Sequence, residues 1–447
     1  MDPEPSAPPG PPPAGAPRAG RPSRRRRHRR VLRLLRPILR PGIGHLLPPE
    51  LTARRIGRIA AALPDGLRGP DFETLLRRVE AKPVHPGNRL EIYHTGEAAF
   101  AAMHQAVAAA RHEVLLESYI FKDDAVGRSM LDELAAAVRR GVVVRVLADA
   151  LGSWSTHADF WRDMERRGIA AHLFNPLFKG LWYQPFRDHR KLLVVDRSVG
   201  FTGGMNIGVE YGSPSAPGGP WRDLHVRVDG PAAWGMAIVF GEGWDYAGGP
   251  PLDLPPLAVA TPDLPGGRVL VLDARPMRGN REAAATLAAI AGAARRRLWI
   301  TNAYFAPGHA AVRILADAVR RGVDVRLLLP GRTDVPLVRH AGHGYFASLL
   351  RRGIRIFEYG AAVLHAKSLV ADGYVGVVGS TNLDFRSFLF NAECNLVVFD
   401  AAFAGDLERL FEEDLAQSTE IALPAWRRRP RRHRLGDRLA RFLSPVL

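Results

Sequence analysis

An α/β fold built twice within one chain is what this sequence predicts. Each copy carries a largely parallel sheet flanked by helices, and a shared site lies at a pseudo-two-fold interface between them. Three observations carry that prediction. Strand-like and helix-like segments alternate from about residue 86, as in a parallel sheet covered on both faces. The alternation then recurs: AAAVRRGVVVRVL (135–147) matches ADAVRRGVDVRLL (316–328), and ERRGIAAHLF (165–174) matches LRRGIRIFEY (350–359). A repeat of about 180 residues is a duplicated domain, not a solenoid unit. Last, one polar motif, His-x-Lys-x4-Asp, occurs once per copy, as His189, Lys191 and Asp196 and as His365, Lys367 and Asp372. In both copies Gly203 or Gly379 follows seven residues after the Asp, and Asn206 or Asn382 three residues after that Gly.

Taken in order, residues 1–41 read as a disordered basic tail. The first 23 are rich in Pro, Gly and Ala, and RRRRHRR follows. Leucines and Ile38 then alternate with Arg33, Arg36 and Arg40, but Pro37 and Pro41 keep any helix short. Residues 42–85 read as a helical segment, with a helical pattern from about Leu51 to Val79 expected to pack beside the first copy. The first copy spans 86–250. LEIYHTGEAAFAAMHQAVAAARHEVLLESYIF reads strand, helix, strand, with Gly96 at the turn, and SMLDELAAAVRRGVVVRVLAD reads helix, Gly141, strand. A linker rich in Pro, Gly and Asp (248–267) leads into the second copy, 251–424, where NAYF (302–305) loosely matches SYIF (118–121). Residues 425–447 form a basic amphipathic tail, with Leu435, Leu439, Phe442 and Leu443 beside Arg438 and Arg441.

Charge and composition narrow the class. The chain of 447 residues carries +17, but residues 1–40 hold 11 Arg against Asp2 and Glu4, and residues 425–447 hold 8 Arg against Asp437. The two ends therefore carry +16 of the +17, and the body is close to neutral. A nucleic-acid partner is not expected, because the body lacks a basic stripe. Tails of this kind suit an anionic membrane surface instead. A single cysteine, Cys394, excludes a disulfide framework and any multi-thiolate metal site. No uncharged apolar run reaches the roughly 18 residues that span a bilayer. The expected location is peripheral, on the cytoplasmic face of the cell membrane.

Within a strand, side chains alternate faces. His189 and Lys191 share one face, as do His365 and Lys367, and the Asp of each motif falls on the other. Asp196 and Asp372 therefore belong to the catalytic motif by fixing the strand-to-turn geometry. Paired His and Lys suit a phosphodiester. Two lysines neutralise the non-bridging oxygens, and two imidazoles stand on opposite sides of phosphorus, one as nucleophile and one as general acid. The product of the first step is a phosphohistidine. No metal and no cofactor is needed.

These paired motifs resemble those of the phospholipase D superfamily over most of 86–420, and within it the bacterial cardiolipin synthase group. WRDLHVRVDGPAAW (221–234) is similar to that group's Trp-Arg-Asp segment, and NLDFRSFLFNAECNLVVFD (382–400) to its Asn-Leu-Asp-x-Arg-Ser-Phe segment. The short N-terminal region looks like the subgroup without transmembrane helices. The resemblance implies that Glu210 and Glu393 each hold a catalytic His through its second ring nitrogen. It implies that Asn206 and Asn382 donate to phosphate, with Ser380 beside them. It also makes His189 the nucleophile and His365 the acid and base, although duplication leaves these roles formally exchangeable. Gly204 departs from the pattern, where Ser is common. A plain salt-bridge role is the other reading of Glu210 and Glu393.

The implied activity is cardiolipin synthesis. A phosphatidyl group moves from one phosphatidylglycerol to another and glycerol is released. The alternatives are hydrolysis, transfer to another alcohol, and nucleic-acid cleavage. The aromatic stretch 174–186, with Phe178, Leu181, Trp182, Tyr183 and Phe186, reads either as a lipid-contacting lip or as core. His85, His94, His104, His112, His172, His225, His340 and His343 read as ordinary polar residues.

Overall fold

The structure is a computed structural model that describes residues 53–80, 82–176, 185–213, 216, 219–254, 265–274 and 281–443. The N-terminal tail and the proposed lip residues Phe178, Leu181, Trp182 and Tyr183 lie outside the described residues.

The first half contributes β1 (Val84–Tyr93), β2 (Glu113–Ser118), β3 (Val143–Asp149), β4 (Ala170–Phe174), β5 (Arg187–Asp188), β6 (Lys191–Val195), β7 (Val199–Gly203) and β8 (His225–Asp229). The second contributes β9 (Gly267–Ala274), β10 (Arg297–Asn302), β11 (Asp324–Pro330), β12 (Arg355–Tyr359), β13 (Lys367–Ala371), β14 (Val375–Gly379), β15 (Asn391–Phe399) and β16 (Ser418–Glu420). They form one sheet in the order β16-β12-β11-β10-β13-β14-β15-β9-β1-β8-β7-β6-β2-β3-β4, with β5 paired to β15 off that path. Read outward from its centre, the order on one side repeats that on the other. The two first strands, β1 and β9, meet antiparallel across the middle.

The parallel pairing predicted by strand–helix alternation holds for β2-β3-β4 and β10-β11-β12. Helical crossovers connect those strands, as parallel neighbours require. Beside them the motif strands run antiparallel, β2-β6-β7-β8-β1 in one half and β10-β13-β14-β15-β9 in the other. Short turns join β6 to β7 and β13 to β14, and short turns allow only hairpins. Strand β2 is buried at every position, so its sequence EVLLES keeps Val and Leu on both faces and buries its polar ends.

Helices cover both faces of the sheet. One core, with Leu131, Phe160, Leu193 and Phe201, belongs to the first half. A second runs under both halves and joins Val226, Met236 and Trp244 to Val271, Val398 and Phe411. The helices Pro231–Tyr246 and Ala401–Leu415 lie over it. A third core lies on the second half, and the N-terminal helices belong to it. The expected packing of the helical pattern from about Leu51 to Val79 beside the first copy is thus corrected for its described residues, 53–79. Helices Ala53–Ala61 and Pro70–Glu80 send Ile56, Phe72 and Leu76 against Leu287 and Ile290 of the Arg281–Ala293 helix. Glycines set that contact: a Cβ on Gly292 would lie 2.3 Å from the Gly57 carbonyl oxygen. Among the described residues, no helix is long and apolar enough to cross a membrane.

Candidate active site

Each motif histidine stands at the start of a motif strand, and each is held there by the other half. His189 follows β5, which pairs parallel with Asn391 and Ala392 of β15, and its N–H donates to the Ala392 carbonyl at 2.9 Å. His365 follows Leu364, which bridges Arg222, and its N–H donates to the Arg222 carbonyl at 2.8 Å. Two equivalent crossings of this kind are what a pseudo-two-fold axis produces.

The side chains cross in the same way. His189 Nδ1 lies 3.0 Å from Glu393 Oε2, and His365 Nδ1 lies 2.7 Å from Asp223 Oδ2. Glu393 is itself fixed by the Ser387 hydroxyl at 2.7 Å and the Asn391 amide at 3.3 Å. Asp223 accepts the Leu224 N–H at 2.7 Å. With Nδ1 spent on a carboxylate, each ring keeps Nε2 for chemistry.

Glu210 does not hold a histidine. It forms an ion pair with Lys122 at 2.5 Å, so the plain salt-bridge reading is the one that applies to it. Sheet register identifies the true counterpart of Glu393. Gly203 pairs with His225 and Gly379 with Asn395, so the residues two positions earlier, Asp223 and Glu393, are equivalent. The departure at Gly204 follows from this. A Cβ there would lie 2.1 Å from Asp223 Oδ1, whereas its counterpart Ser380 exchanges hydrogen bonds with the backbone of Cys394.

Lys191 donates to the His189 carbonyl at 2.6 Å, and Lys367 to the His365 carbonyl, with its Nζ also 2.9 Å from His365 Nδ1. Among the described residues neither lysine has a carboxylate within ion-pair distance. Both are buried, and burial is the main cause that lowers Lys191 to about 7 and Lys367 to about 8. Burial likewise lowers His189, against the pull of Glu393, and takes His365 down to about 4, assisted by the Lys367 charge. Each lysine also depresses the histidine of the opposite half. Glu393 and Asp223 stay below their ordinary values because the adjacent His and Lys charges outweigh desolvation. Four groups able to carry positive charge thus share two bonded carboxylates, while Asp188 acts on Lys191 and Asp334 and Asp384 act on Lys367 without bonding them.

Aromatic rings wall the histidines. Tyr119 stands 5.0 Å from His189. Tyr304, Tyr211 and Trp221 stand 5.7, 5.5 and 5.3 Å from His365. The two asparagines differ. Asn206 donates to the Tyr211 hydroxyl at 2.8 Å and accepts the Ile120 N–H at 3.2 Å, which leaves one amide hydrogen. Asn382 is buried with its side-chain oxygen unpaired among the described residues.

The motif aspartates stand at the far ends of β6 and β13, away from the histidines, where they bind backbone rather than the reacting groups. Asp196, at φ 48, accepts the N–H groups of Arg111, His112 and Glu113 at 2.8–2.9 Å. Asp372, at φ 53, accepts those of Arg295, Arg296 and Arg297 at 2.8–2.9 Å. Each ties its strand turn to the start of the neighbouring strand.

Asp223, Tyr119 and Tyr304 were not singled out from the sequence. Asp223 did stand inside the quoted Trp-Arg-Asp segment, which was the available signal. Outside this site, His340, His343 and Asp437 are close enough to share a metal ion. They are already bonded to one another, to Glu358 and to Arg429, and they hold the C-terminal helix to the body.

Comparison with known proteins places the chain in a family. The sequence model described as "Cardiolipin synthase, PLD-like domain" matches residues 103–211 and 287–415. Cardiolipin synthase A of Pseudomonas aeruginosa is 38% identical over 377 residues, 83% of this chain and 76% of that protein. Cardiolipin synthase 1 of Bacillus anthracis is 30% identical over 410 residues, 89% of this chain and 80% of that protein. Among solved structures, the phosphatidylserine synthase of Haemophilus influenzae Rd KW20 shares the fold, with a TM-score of 0.64 at 14% identity over 84% of this chain and 100% of that one.

Proposed function

This chain belongs to the cardiolipin synthase family of phospholipase D-like proteins, and on that premise we propose that it is itself a cardiolipin synthase. It transfers a phosphatidyl group from one phosphatidylglycerol to a hydroxyl of a second. The observation that carries this reading is the cross-held pair: His189 on Glu393 and His365 on Asp223, with Lys191 and Lys367 buried beside them.

In the first step His189 Nε2 attacks phosphorus. A P–N bond forms, the P–O bond to glycerol breaks, and the leaving oxygen takes the proton of His365 Nε2. In the second step His365 removes the proton from a hydroxyl of the incoming phosphatidylglycerol. That oxygen attacks phosphorus, the P–N bond breaks, and cardiolipin leaves with both imidazoles restored. Lys191 and Lys367 neutralise the non-bridging oxygens, and electrostatic stabilisation of this kind is often the largest single term in the rate. The buried amide of Asn382 and the remaining amide hydrogen of Asn206 are donors toward phosphate. Asp196 and Asp372 act only by fixing the motif strands. His365 must be protonated to serve as acid, and burial together with the Lys367 charge holds it near 4. A bound anionic diester adds negative charge beside the ring, so substrate binding raises it.

The enzyme works at the cytoplasmic face of the membrane as a peripheral protein, drawn to anionic lipid by its basic ends. The test is direct. Purified protein with phosphatidylglycerol vesicles yields cardiolipin and glycerol, and His189→Ala yields neither. Phosphatidic acid as sole product would instead make the protein a hydrolase.

A further inference from the structure

The C-terminal helix Arg431–Leu443 docks on the helix Pro336–Leu350, and the two run side by side in the same direction. His340 bonds Asp437 at 2.9 Å, and one turn further on Arg441 donates to the Gly344 carbonyl at 3.1 Å. Ala341 and Ala440 pack between them. Docking fixes which side of the C-terminal helix faces out. Its sole acid, Asp437, is turned inward and spent on His340 and Arg429.

The outward side is apolar, which is unusual for a water-facing helix. Leu435, Leu439 and Phe442, at i, i+4 and i+7, are 59%, 61% and 84% exposed. Exposed Arg431 and Arg438 flank them. An apolar stripe edged with arginines is the pattern of a helix lying in the plane of an anionic lipid surface.

Two more exposed apolar side chains follow residues at the wall of the catalytic site, Leu337 in the first turn of the Pro336–Leu350 helix and Trp154 on a loop. Asp334 accepts the Tyr304 hydroxyl at 2.8 Å, Tyr304 faces His365, and exposed Leu337 follows three residues later. In the equivalent segment of the first half, Asp149 accepts the N–H of Asp188, the residue before His189, at 2.9 Å, and Trp154 follows, 75% exposed.

We propose that the Leu435–Leu439–Phe442 stripe, with the tips at Leu337 and Trp154, forms one surface that settles into the headgroup boundary of an anionic bilayer beside the mouth of the catalytic site. The inference rests on the cardiolipin synthase reading only for its choice of lipid as substrate. It goes further in naming the contacting residues and the orientation of the protein on the bilayer. Asp437, His340 and Arg441 serve to hold the helix in that orientation.

Two substrates separate docking from chemistry. One is phosphatidylglycerol vesicles in high salt, where screening suppresses the charged tails and leaves apolar insertion. The other is short-chain phosphatidylglycerol dispersed as monomers. In the full-length chain, Leu435→Ser/Leu439→Ser/Phe442→Ser is expected to partition onto vesicles about tenfold more weakly and to turn them over about tenfold more slowly. Its turnover of the monomeric substrate stays at the wild-type level. Trp154→Ser, on a different element, is expected to give the same separation at smaller amplitude. Wild-type partition and turnover on vesicles for both variants would overturn the proposal. So would a wild-type dimer that the triple variant dissociates without loss of vesicle binding. A wild-type protein that binds vesicles through this stripe yet turns over neither substrate would leave the docking surface standing and remove the enzymatic reading.

Discussion

Lys191, Lys367, His189 and His365 are buried together, and the carboxylates bonded to the two histidines are Glu393 and Asp223. Burial lowers both lysines, to about 7 and about 8, so they lose protons near neutral pH. A bound oxyanion raises both again. Binding of tungstate between pH 7 and 9 is therefore expected to take up protons. Calorimetry in two buffers of different ionisation enthalpy reads this as a difference in heat, and equal heats would contradict it. The orienting carboxylates can be told apart from their neighbour. Asp223→Asn is expected to lower kcat by about 10²–10⁴, the range associated with a mispositioned acid–base group. Glu210→Gln, which removes only the partner of Lys122, is expected to stay within a few-fold of wild type. The histidines and lysines were legible in the sequence because their spacing repeats. Asp223 was not, because more residues separate Gly203 from Asp223 than separate Gly379 from Glu393, and only the strand register restores the equivalence.

The motif strands owe their placement to Asp196 and Asp372, each gathering three backbone N–H groups. Asp372→Ala leaves those donors without their acceptor, at a cost of about 1–3 kcal/mol. The expected result is a lower urea midpoint with kcat of the folded fraction nearly unchanged, and a kcat loss as large as that of Asp223→Asn would contradict it. Strand alternation made this role readable in advance, because a period of two sends the Asp away from the His and Lys. The same local logic does not reach partners distant in the chain. The N-terminal helices pack on the Arg281–Ala293 helix because Gly57 and Gly292 let the backbones approach, and no periodicity within 53–80 announces a glycine more than 200 residues away. The antiparallel motif strands were hidden for a related reason: helix-connected strands set the dominant pattern, while β6-β7 and β13-β14 are joined by turns of few residues.

At the scale of the molecule, neither half holds a complete site, since each histidine takes its carboxylate and its backbone acceptor from the other. Residues 1–264 and 265–447 expressed separately are expected to be inactive and to regain activity only when co-expressed. Activity in either alone would contradict the cross-held arrangement. Duplication was plain in the sequence, and so was a shared site; the exchange of orienting carboxylates across the interface was not, because it depends on the pairing of β5 with β15 and of Leu364 with Arg222. The central claim is that two imidazoles serve one phosphorus in different roles. It is tested most directly with a phosphatidyl ester of p-nitrophenol, whose leaving group departs without needing a proton, by following nitrophenolate release and locating the adduct by mass spectrometry. In His365→Ala the account predicts a burst of about one equivalent per site, with the phosphatidyl adduct on His189, and in His189→Ala no burst. A burst that survives in His189→Ala, or an adduct on any other residue, would contradict it.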